Sequence, residues 1–192
     1  MPRDEDKKQR WVKEVGFDEF YNIEDPWNIK GDREEIRKVN DITSLMHGGY
    51  SNCMDIGCGE GYTSMMYYDY CNSIIGYDIS KNAIDRANTL YGDKMTFIEG
   101  DIRDGFSKDL KGKFDLVLCN EVLYYIEPQF YSKVAENIYS LLSTNGQLII
   151  SAGHYFTQID FETIFDKMQF SDVIQIPSKG NTYSLIMSGT KK

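Results

Sequence analysis

The sequence predicts a single α/β domain with a doubly wound, mostly parallel, seven-stranded sheet that ends in an antiparallel hairpin strand. Three observations support this fold class. Short β-rich runs alternate with helical runs from residue 53 onward, a glycine-rich stretch lies where the first strand gives way to a helix, and a short turn joins the last two strands. A chain of 192 residues also fits one domain by size.

The N-terminal part of the chain follows a different pattern from the rest. Helical periodicity extends over residues 10–47, is interrupted at Asp25-Pro26 and Gly31-Asp32, and ends at His47-Gly48-Gly49. We therefore divide the chain into an N-terminal helical cap segment, residues 1–47, and a sheet-forming domain, residues 48–192.

The alternation that follows is typical of βαβ units with helices on both faces of a sheet. We predict strands at 52–56, 73–77, 95–99, 114–119 and 147–152, and helices at 61–68, 81–90 and 128–142. The C-terminal part differs, because a short helix near 161–168 precedes strands at 170–176 and 182–188. These two strands are joined by a turn at 177–181, so they must pair antiparallel.

Composition and charge exclude several classes of function. The chain has 30 acidic against 21 basic residues, a net charge of −9 and no basic cluster, which argues against a nucleic-acid partner. No apolar run approaches the roughly 20 residues that cross a bilayer, so we expect no membrane association and a cytoplasmic protein. The four cysteines form no C-x-x-C pair and the two histidines lack ligand spacing, so we expect reduced, buried thiols and no metal site.

The stretch Asp55-Ile56-Gly57-Cys58-Gly59-Glu60-Gly61 is the most informative for function. Glycines let the backbone turn sharply and let a ligand approach, and the following helix directs free N–H groups at the loop. A dinucleotide fingerprint is incomplete, because Tyr62 occupies the position of its third glycine. The spacing is instead that of loops that bind S-adenosyl-L-methionine (SAM). We assign to this cofactor the loop residues Gly57, Cys58, Gly59 and Gly61, and also Asp55, which would orient the loop and the methionine amino group.

Acidic residues follow the next two strands, at the edge where open α/β sheets bind ligands. Asp78, with Ile79 beside it, can accept the protons of both ribose hydroxyls. Asp78 is alternatively the N-cap of the next helix, a role for which Ser80 competes. After the third strand, Asp101 can hold the adenine amino group while Ile102 packs on the ring.

With these residues the sequence resembles the class I SAM-dependent methyltransferases, which have a Rossmann-like fold, from about residue 53 to the C-terminus. Two further stretches resemble a narrower group, the NodS-like N-methyltransferases that act on an amino sugar of a lipochitooligosaccharide precursor. These are Asp25-Pro26-Trp27 followed by Arg37-Lys38, and the sequence EVLYY at 121–125. No clear match to the oligosaccharide groove of that group is present, which leaves the acceptor open.

The resemblance implies that Trp27 folds over the cofactor and that Arg37 pairs with its methionine carboxylate through a bidentate fork. Lys38 is the second candidate for this pairing. Trp27 alternatively serves as a hydrophobic anchor between an N-terminal helix and the core.

Methyl transfer depends mainly on alignment of the acceptor with the methyl group, because a sulfonium methyl is already electrophilic. A base or proton sink assists, since an amine acceptor must be neutral and an alcohol must lose its proton. We assign catalytic roles to His154, Tyr124 and Glu121, and a further cofactor contact to Asn120. The alternatives are an exposed loop histidine without a role, and the start of a buried helix at Tyr124 and Tyr125.

The sequence therefore predicts a SAM-dependent methyltransferase that acts on nitrogen or oxygen of a small polar acceptor. An amino sugar or a sugar-like metabolite is the first candidate. A noncatalytic SAM-binding or partner-binding domain is the alternative from a different class. A nicotinamide-dependent oxidoreductase is disfavoured by Tyr62 and by the lack of a substrate domain.

Overall fold

The computed structural model describes residues 4–153, 156–178 and 182–191, and its seven strands form one sheet in the order β3-β2-β1-β4-β5-β7-β6. The strands are β1 (Cys53–Ile56), β2 (Ile74–Asp78), β3 (Thr96–Glu99), β4 (Phe114–Asn120), β5 (Leu142–Ala152), β6 (Met168–Ser178) and β7 (Thr182–Lys191). Pairing is parallel from β3 to β5, and β7 pairs antiparallel with both β5 and β6. The predicted fold class is confirmed, and the antiparallel strand lies inside the sheet with β6 at its edge.

The helices cover both faces of the sheet and its carboxyl edge. They are α1 (Asp4–Val15), α2 (Phe17–Phe20), α3 (Arg33–Ser44), α4 (Tyr62–Met66), α5 (Lys81–Tyr91), α6 (Tyr131–Leu141) and α7 (Gln158–Ile164). Helix α7 begins three residues before the predicted start at 161, because Thr157 and Asp160 form a capping box. Strand β5 likewise begins at 142 instead of the predicted 147.

The central strand β4 shows why the sheet is buried on both sides. Val117 and Cys119 belong to one hydrophobic cluster, whereas Leu116 and Leu118 belong to the other. Each of these four side chains has no exposed surface. Alternate side chains of a strand point to opposite faces, so a continuous apolar run is what a doubly covered parallel strand requires.

The first two helices pack against the start of α5, close to the end of β2. Val12, Phe20 and Tyr21 form a third hydrophobic cluster with Ala83 of α5. The Asp18 carboxylate in α2 accepts a hydrogen bond from Ser80 Oγ at 2.8 Å. The N-terminal segment is therefore attached near the edge at which the predicted cofactor residues lie.

All four cysteines are buried free thiols, in agreement with the expectation of reduced cysteines. Within the described ranges, no helix combines the length and the apolar character needed to cross a membrane.

Candidate functional site

The glycine loop joins β1 to α4 in a conformation that requires glycine. Gly57, Gly59 and Gly61 have φ angles of 77°, 53° and 80°, which side chains with a Cβ rarely adopt. A Cβ at Gly57 would overlap Cγ2 of Val122, and one at Gly59 would lie 2.6 Å from the Tyr21 hydroxyl. The three glycines thus allow other groups to approach the loop backbone closely.

Asp78, at the end of β2, holds this loop directly. Its Oδ2 accepts from the backbone N–H of Gly59 at 2.8 Å and its Oδ1 from that of Ser80 at 2.9 Å. Burial raises the pKa of the carboxyl group, and the backbone N–H donors oppose that shift. Ser80 is the N-cap of α5, with Oγ accepting from the N–H of Ala83 at 3.2 Å, so Asp78 is not the cap. The loop and the acid therefore converge at one point of the sheet edge.

Asp55 lies beneath the loop and is only 3% exposed. Ser64 in α4 donates its Oγ hydrogen to Asp55 Oδ2 at 2.6 Å. Burial, the main cause, raises the pKa of Asp55 to about 7. This bond ties β1 to α4 across the loop, which fits a role in loop geometry. A contact to a methionine amino group stays a prediction.

The predicted adenine contacts differ in accessibility. Ile79 is 41% exposed and presents an apolar surface beside Asp78, whereas Ile102 is 6% exposed and belongs to the core. Asp101 pairs with Arg103, whose Nη2 lies 2.6 Å from Oδ2. Burial raises the pKa of Asp101, but hydrogen bonds from Arg103 outweigh it, so the pKa is lowered. Ile79 is thus better placed than Ile102 to contact a nucleobase.

Asn120 ends β4 with an unsatisfied amide. Both Oδ1 and Nδ2 are buried, and neither has a hydrogen-bond partner in the structure. Buried polar atoms are normally paired, and leaving one unpaired costs about 1–3 kcal/mol. The amide is the clearest sign that a polar group of a ligand completes this edge.

Glu121, the next residue, combines backbone strain with a partly buried carboxyl group. Its φ angle is 58°, which costs a residue with a Cβ about 1–2 kcal/mol. Its Oε1 accepts from Ser151 Oγ at 3.2 Å, which connects the ends of β4 and β5. Burial raises the pKa of Glu121, and the charge of Lys38 opposes this shift. Strained residues and carboxyl groups with a raised pKa cluster at functional sites, and a raised pKa makes this carboxylate a better proton acceptor.

The two tyrosines that follow face different neighbours. The hydroxyl of Tyr124 hydrogen bonds to the Glu121 carboxylate. The ring of Tyr125 packs against Phe17 and Trp27, at centroid distances of 5.1 and 6.1 Å. Tyr124 therefore belongs to the polar edge, and Tyr125 joins the N-terminal aromatic cluster.

Trp27 connects that cluster to the glycine loop. Its ring lies 4.5 Å from Phe20, and its Nε1 donates to the Tyr21 hydroxyl at 2.9 Å. Because Tyr21 in turn approaches Gly59, Trp27 acts both as an anchor and as an indirect brace of the loop. Tyr21 is not among the residues predicted from the sequence, since no local pattern distinguishes it from other aromatic residues of the segment.

A partly buried ion pair between Glu60 and Arg86 fastens the N-terminal segment to the loop. Arg86 also donates to the carbonyl oxygens of Tyr21 and Ile23 at 3.2 and 3.0 Å, and Glu60 accepts from the N–H of Asp25 at 2.9 Å. This pair is also not among the features predicted from the sequence. The one available signal was an acid, Glu60, between two glycines of the loop.

The two basic candidates for the methionine carboxylate lie on different sides of α3. The Arg37 side chain is 55% exposed, with Asp41 at 3.9 Å. The Lys38 side chain is 19% exposed, pairs with Glu35 at 2.8 Å and acts electrostatically on Glu121. The structure thus favours Lys38, the second candidate, because Arg37 lies on the solvent side of the helix.

A cleft of about 460 Å³ opens beside Tyr124. Its walls are formed by Lys13, Tyr124, Tyr131, Phe156, Asp160, Thr163 and Ile164. His154, the remaining catalytic candidate, lies outside the described residues. Among the residues that are described, no cluster of His, Cys, Asp and Glu has the composition of a metal site.

Comparison with known proteins gives consistent results. The model of the family Nodulation protein S (NodS) matches residues 10–157. Nodulation protein S of Azorhizobium caulinodans is 31% identical over 132 residues, covering 67% of this chain and 62% of the relative. Thiocyanate methyltransferase 1 of Arabidopsis thaliana is 28% identical over 144 residues, covering 72% of this chain and 61% of the relative. The chain thus spans about three fifths of the length of these relatives.

The fold has a similar counterpart among solved structures. The crystal structure of N-methyltransferase NodS from Bradyrhizobium japonicum, in complex with S-adenosyl-L-homocysteine, superimposes with a TM-score of 0.81. The superposition covers 96% of this chain and 98% of that one, at 19% sequence identity. At this identity the likeness concerns the fold.

Proposed function

Because this chain belongs to the NodS family, we propose that it is a SAM-dependent methyltransferase that acts on nitrogen or oxygen of a small polar acceptor. An amino sugar or a sugar-like metabolite is the first candidate acceptor. The observation that carries the proposal is the 2.8 Å hydrogen bond from Gly59 N–H to Asp78, which joins the two sequence motifs of an adenosyl site.

The residues of the edge fit the parts of SAM in order. Asp78 accepts protons of the ribose hydroxyls, with its position fixed by the loop that it holds. Ile79 supplies exposed apolar surface for the adenine ring. The unpaired Asn120 amide binds the polar methionine end of SAM. Lys38 is the candidate for the methionine carboxylate, because its positive charge acts on Glu121 at the same end of β4.

Glu121 and Tyr124 are the residues that act on the acceptor during methyl transfer. SAM supplies a methyl group on a positively charged sulfur. The acceptor lone pair forms the new bond to that carbon, the carbon–sulfur bond breaks, and S-adenosyl-L-homocysteine leaves. Glu121 takes the proton that the acceptor loses, and Tyr124 holds the carboxylate by its hydrogen bond. His154 stays a second candidate for the base.

The test is a binding and transfer assay with the purified chain. We expect SAM to bind in the micromolar range by calorimetry and a labelled methyl group to pass to an amino sugar or another small acceptor. Asp78→Ala should weaken SAM binding at least tenfold, about 1.4 kcal/mol, whereas Asp109→Ala at an exposed turn should leave it unchanged. Unchanged affinity in a folded Asp78→Ala variant would contradict the site, and binding without any transfer would favour a noncatalytic SAM-binding domain.

A further inference from the structure

We infer that the cleft beside Tyr124 is the acceptor site and that it takes a compact anionic amino sugar of one or two rings, with Lys13 recognising its phosphate or carboxylate. The inference rests on the proposed function and specifies its substrate class. Nothing in the sequence pattern assigned the cleft, because its walls come from α1, α6, α7 and the segments after β4 and β5.

Tyr124 connects the cleft to the reacting edge. Its ring lines the cleft, and its hydroxyl hydrogen bonds to Glu121. A ligand that fills the cleft therefore contacts the residue whose hydroxyl hydrogen bonds to the Glu121 carboxylate, the proposed proton acceptor. No other described residue both lines this cleft and hydrogen bonds to Glu121.

The size and the aromatic walls of the cleft suit a compact ring. A volume of about 460 Å³ lies toward the lower end of the range of small-molecule sites, roughly 300–1,000 Å³. Tyr131 and Phe156 meet at a centroid distance of 5.6 Å with their planes tilted by 56°. Aromatic faces pack well against flat apolar surfaces such as the C–H face of a sugar ring, while tyrosine hydroxyls contact its polar groups.

Two opposite charges lie on the walls of this cleft. Lys13, in the last turn of α1, supplies a positive charge. Asp160 is held by two hydrogen bonds to its Oδ2 from the N–H and Oγ of Thr157, each 2.7 Å long. These bonds keep Asp160 ionised, so the cleft offers one cation and one anion. Lys13 can pair with an anionic group of a ligand, and the Asp160 carboxylate can accept hydrogen bonds from its hydroxyl groups or its neutral amine.

The overall charge of the chain makes Lys13 the decisive contact. A net charge of −9 repels an anionic acceptor at long range. Recognition of a phosphate or carboxylate therefore needs a local cation, and Lys13 is the basic residue among the lining residues of the cleft. A neutral acceptor would make no charge-assisted contact with this side chain.

The experiment compares matched acceptors and matched charge changes. Glucosamine 6-phosphate, glucosamine and a chitotetraose with one free amine are titrated calorimetrically in the presence of S-adenosyl-L-homocysteine, and their methylation is measured with SAM. We expect glucosamine 6-phosphate to bind at least tenfold more tightly than either compound that lacks the phosphate. Lys13→Glu should raise its Kd and KM at least tenfold and change those of glucosamine less than twofold, while Lys13→Arg should retain tight binding. Lys111→Glu, at the opposite end of β4, is the control for net charge.

The outcomes separate this inference from the proposed function. If SAM binds and methylation proceeds, but the phosphate gives no preference or Lys13→Glu has no effect, the cleft assignment is overturned while the enzyme stands. Preference for the chitotetraose also overturns it. If SAM does not bind, the proposed function fails, and the calorimetric titration repeated without cofactor still decides whether the cleft selects the anionic sugar.

Discussion

The edge of the sheet at the carboxyl ends of the parallel strands has two halves, and their polar groups differ in how completely they are hydrogen bonded. At β1 and β2, Asp55 and Asp78 accept hydrogen bonds of 2.6–2.9 Å from the loop and its flanking helices. At β4, Asn120 has an unpaired amide and Glu121 a left-handed backbone. The first half is complete without a ligand, whereas the second half stores unfavourable free energy that a ligand can relieve.

This difference indicates a division of labour. A pre-formed loop binds a cofactor without the entropic cost of ordering it. Unsatisfied and strained groups at the reacting edge gain most when the acceptor and the methyl donor are both present. Under the proposed function, substitutions in the first half should therefore affect folding and cofactor binding, and those in the second half should affect turnover and, at Asn120, cofactor binding as well.

The largest effect should come from Gly57→Ala in the satisfied half. The left-handed backbone costs about 1–2 kcal/mol and the overlap with Val122 about 1–3 kcal/mol more, so unfolding free energy should fall by about 3 kcal/mol. Denaturant unfolding measures this loss. Gly112→Ala, with a φ of 69° and open space around it, should lose only the backbone contribution. Equal losses in the two variants would mean that packing against Val122 has no importance.

Glu121→Gln should give the next largest effect, in the strained half. Loss of the proton acceptor should lower kcat about a hundredfold, near 2.7 kcal/mol, with SAM affinity within twofold. In the unmodified protein, kcat should fall as the pH drops through the raised pKa of Glu121, because the carboxyl group then holds a proton. The variant should lose this limb of the pH profile. Glu136→Gln, on the exposed surface of α6, is the control, and a wild-type profile in Glu121→Gln would assign the base elsewhere.

Asp55→Asn tests how the free energy of unfolding depends on pH in the hydrogen-bonded half, at β1 and β2. Its pKa is about 7 in the folded protein against an ordinary value near 3.8, so between these values the folded state holds a proton that the unfolded state has lost. Asp55 therefore reduces stability as the pH rises. The slope is about 1.4 kcal/mol per pH unit while Asp55 is fully protonated and half of that at its pKa, so the loss from pH 5.5 to 7 is about 1.6 kcal/mol. The stability of the variant relative to the unmodified protein should rise by that amount, measured by denaturant unfolding at both pH values. A constant difference would place the pKa near its ordinary value.

Asn120→Leu should produce the smallest change in stability, and this change should be a stabilisation. Removing the unpaired amide should stabilise the ligand-free protein by about 1 kcal/mol and weaken SAM binding or turnover at least tenfold. Asn137→Leu provides the contrast, because the Nδ2 of Asn137 donates to the carbonyl of Ile102 at 2.7 Å and its loss should destabilise. Thermal unfolding and calorimetry measure both quantities. Destabilisation by Asn120→Leu would mean that the amide has a partner in solution.

Part of the site could be predicted because its signals are local. The glycine spacing at 57–61 and an acid directly after the second strand each depend on a few neighbouring residues. The structure places them within hydrogen-bonding distance, as the sequence analysis required. The choice of Arg37 over Lys38 illustrates the limit, since consecutive helical residues point in directions about 100° apart and only the packing of α3 decides which one faces the edge.

By itself, the sequence determined the α/β class, the approximate strands, and the positions of the glycine loop and of the acid after β2, because periodicity and glycine spacing act over short distances along the chain. Only the tertiary structure decided that Arg86 pairs with Glu60, 26 positions away, and that Tyr21 covers Gly59. It also decided that Tyr124 joins the Glu121 carboxylate to a cleft whose walls come from distant segments. Contacts of this kind depend on how helices pack on the sheet, and local patterns carry no information about that packing.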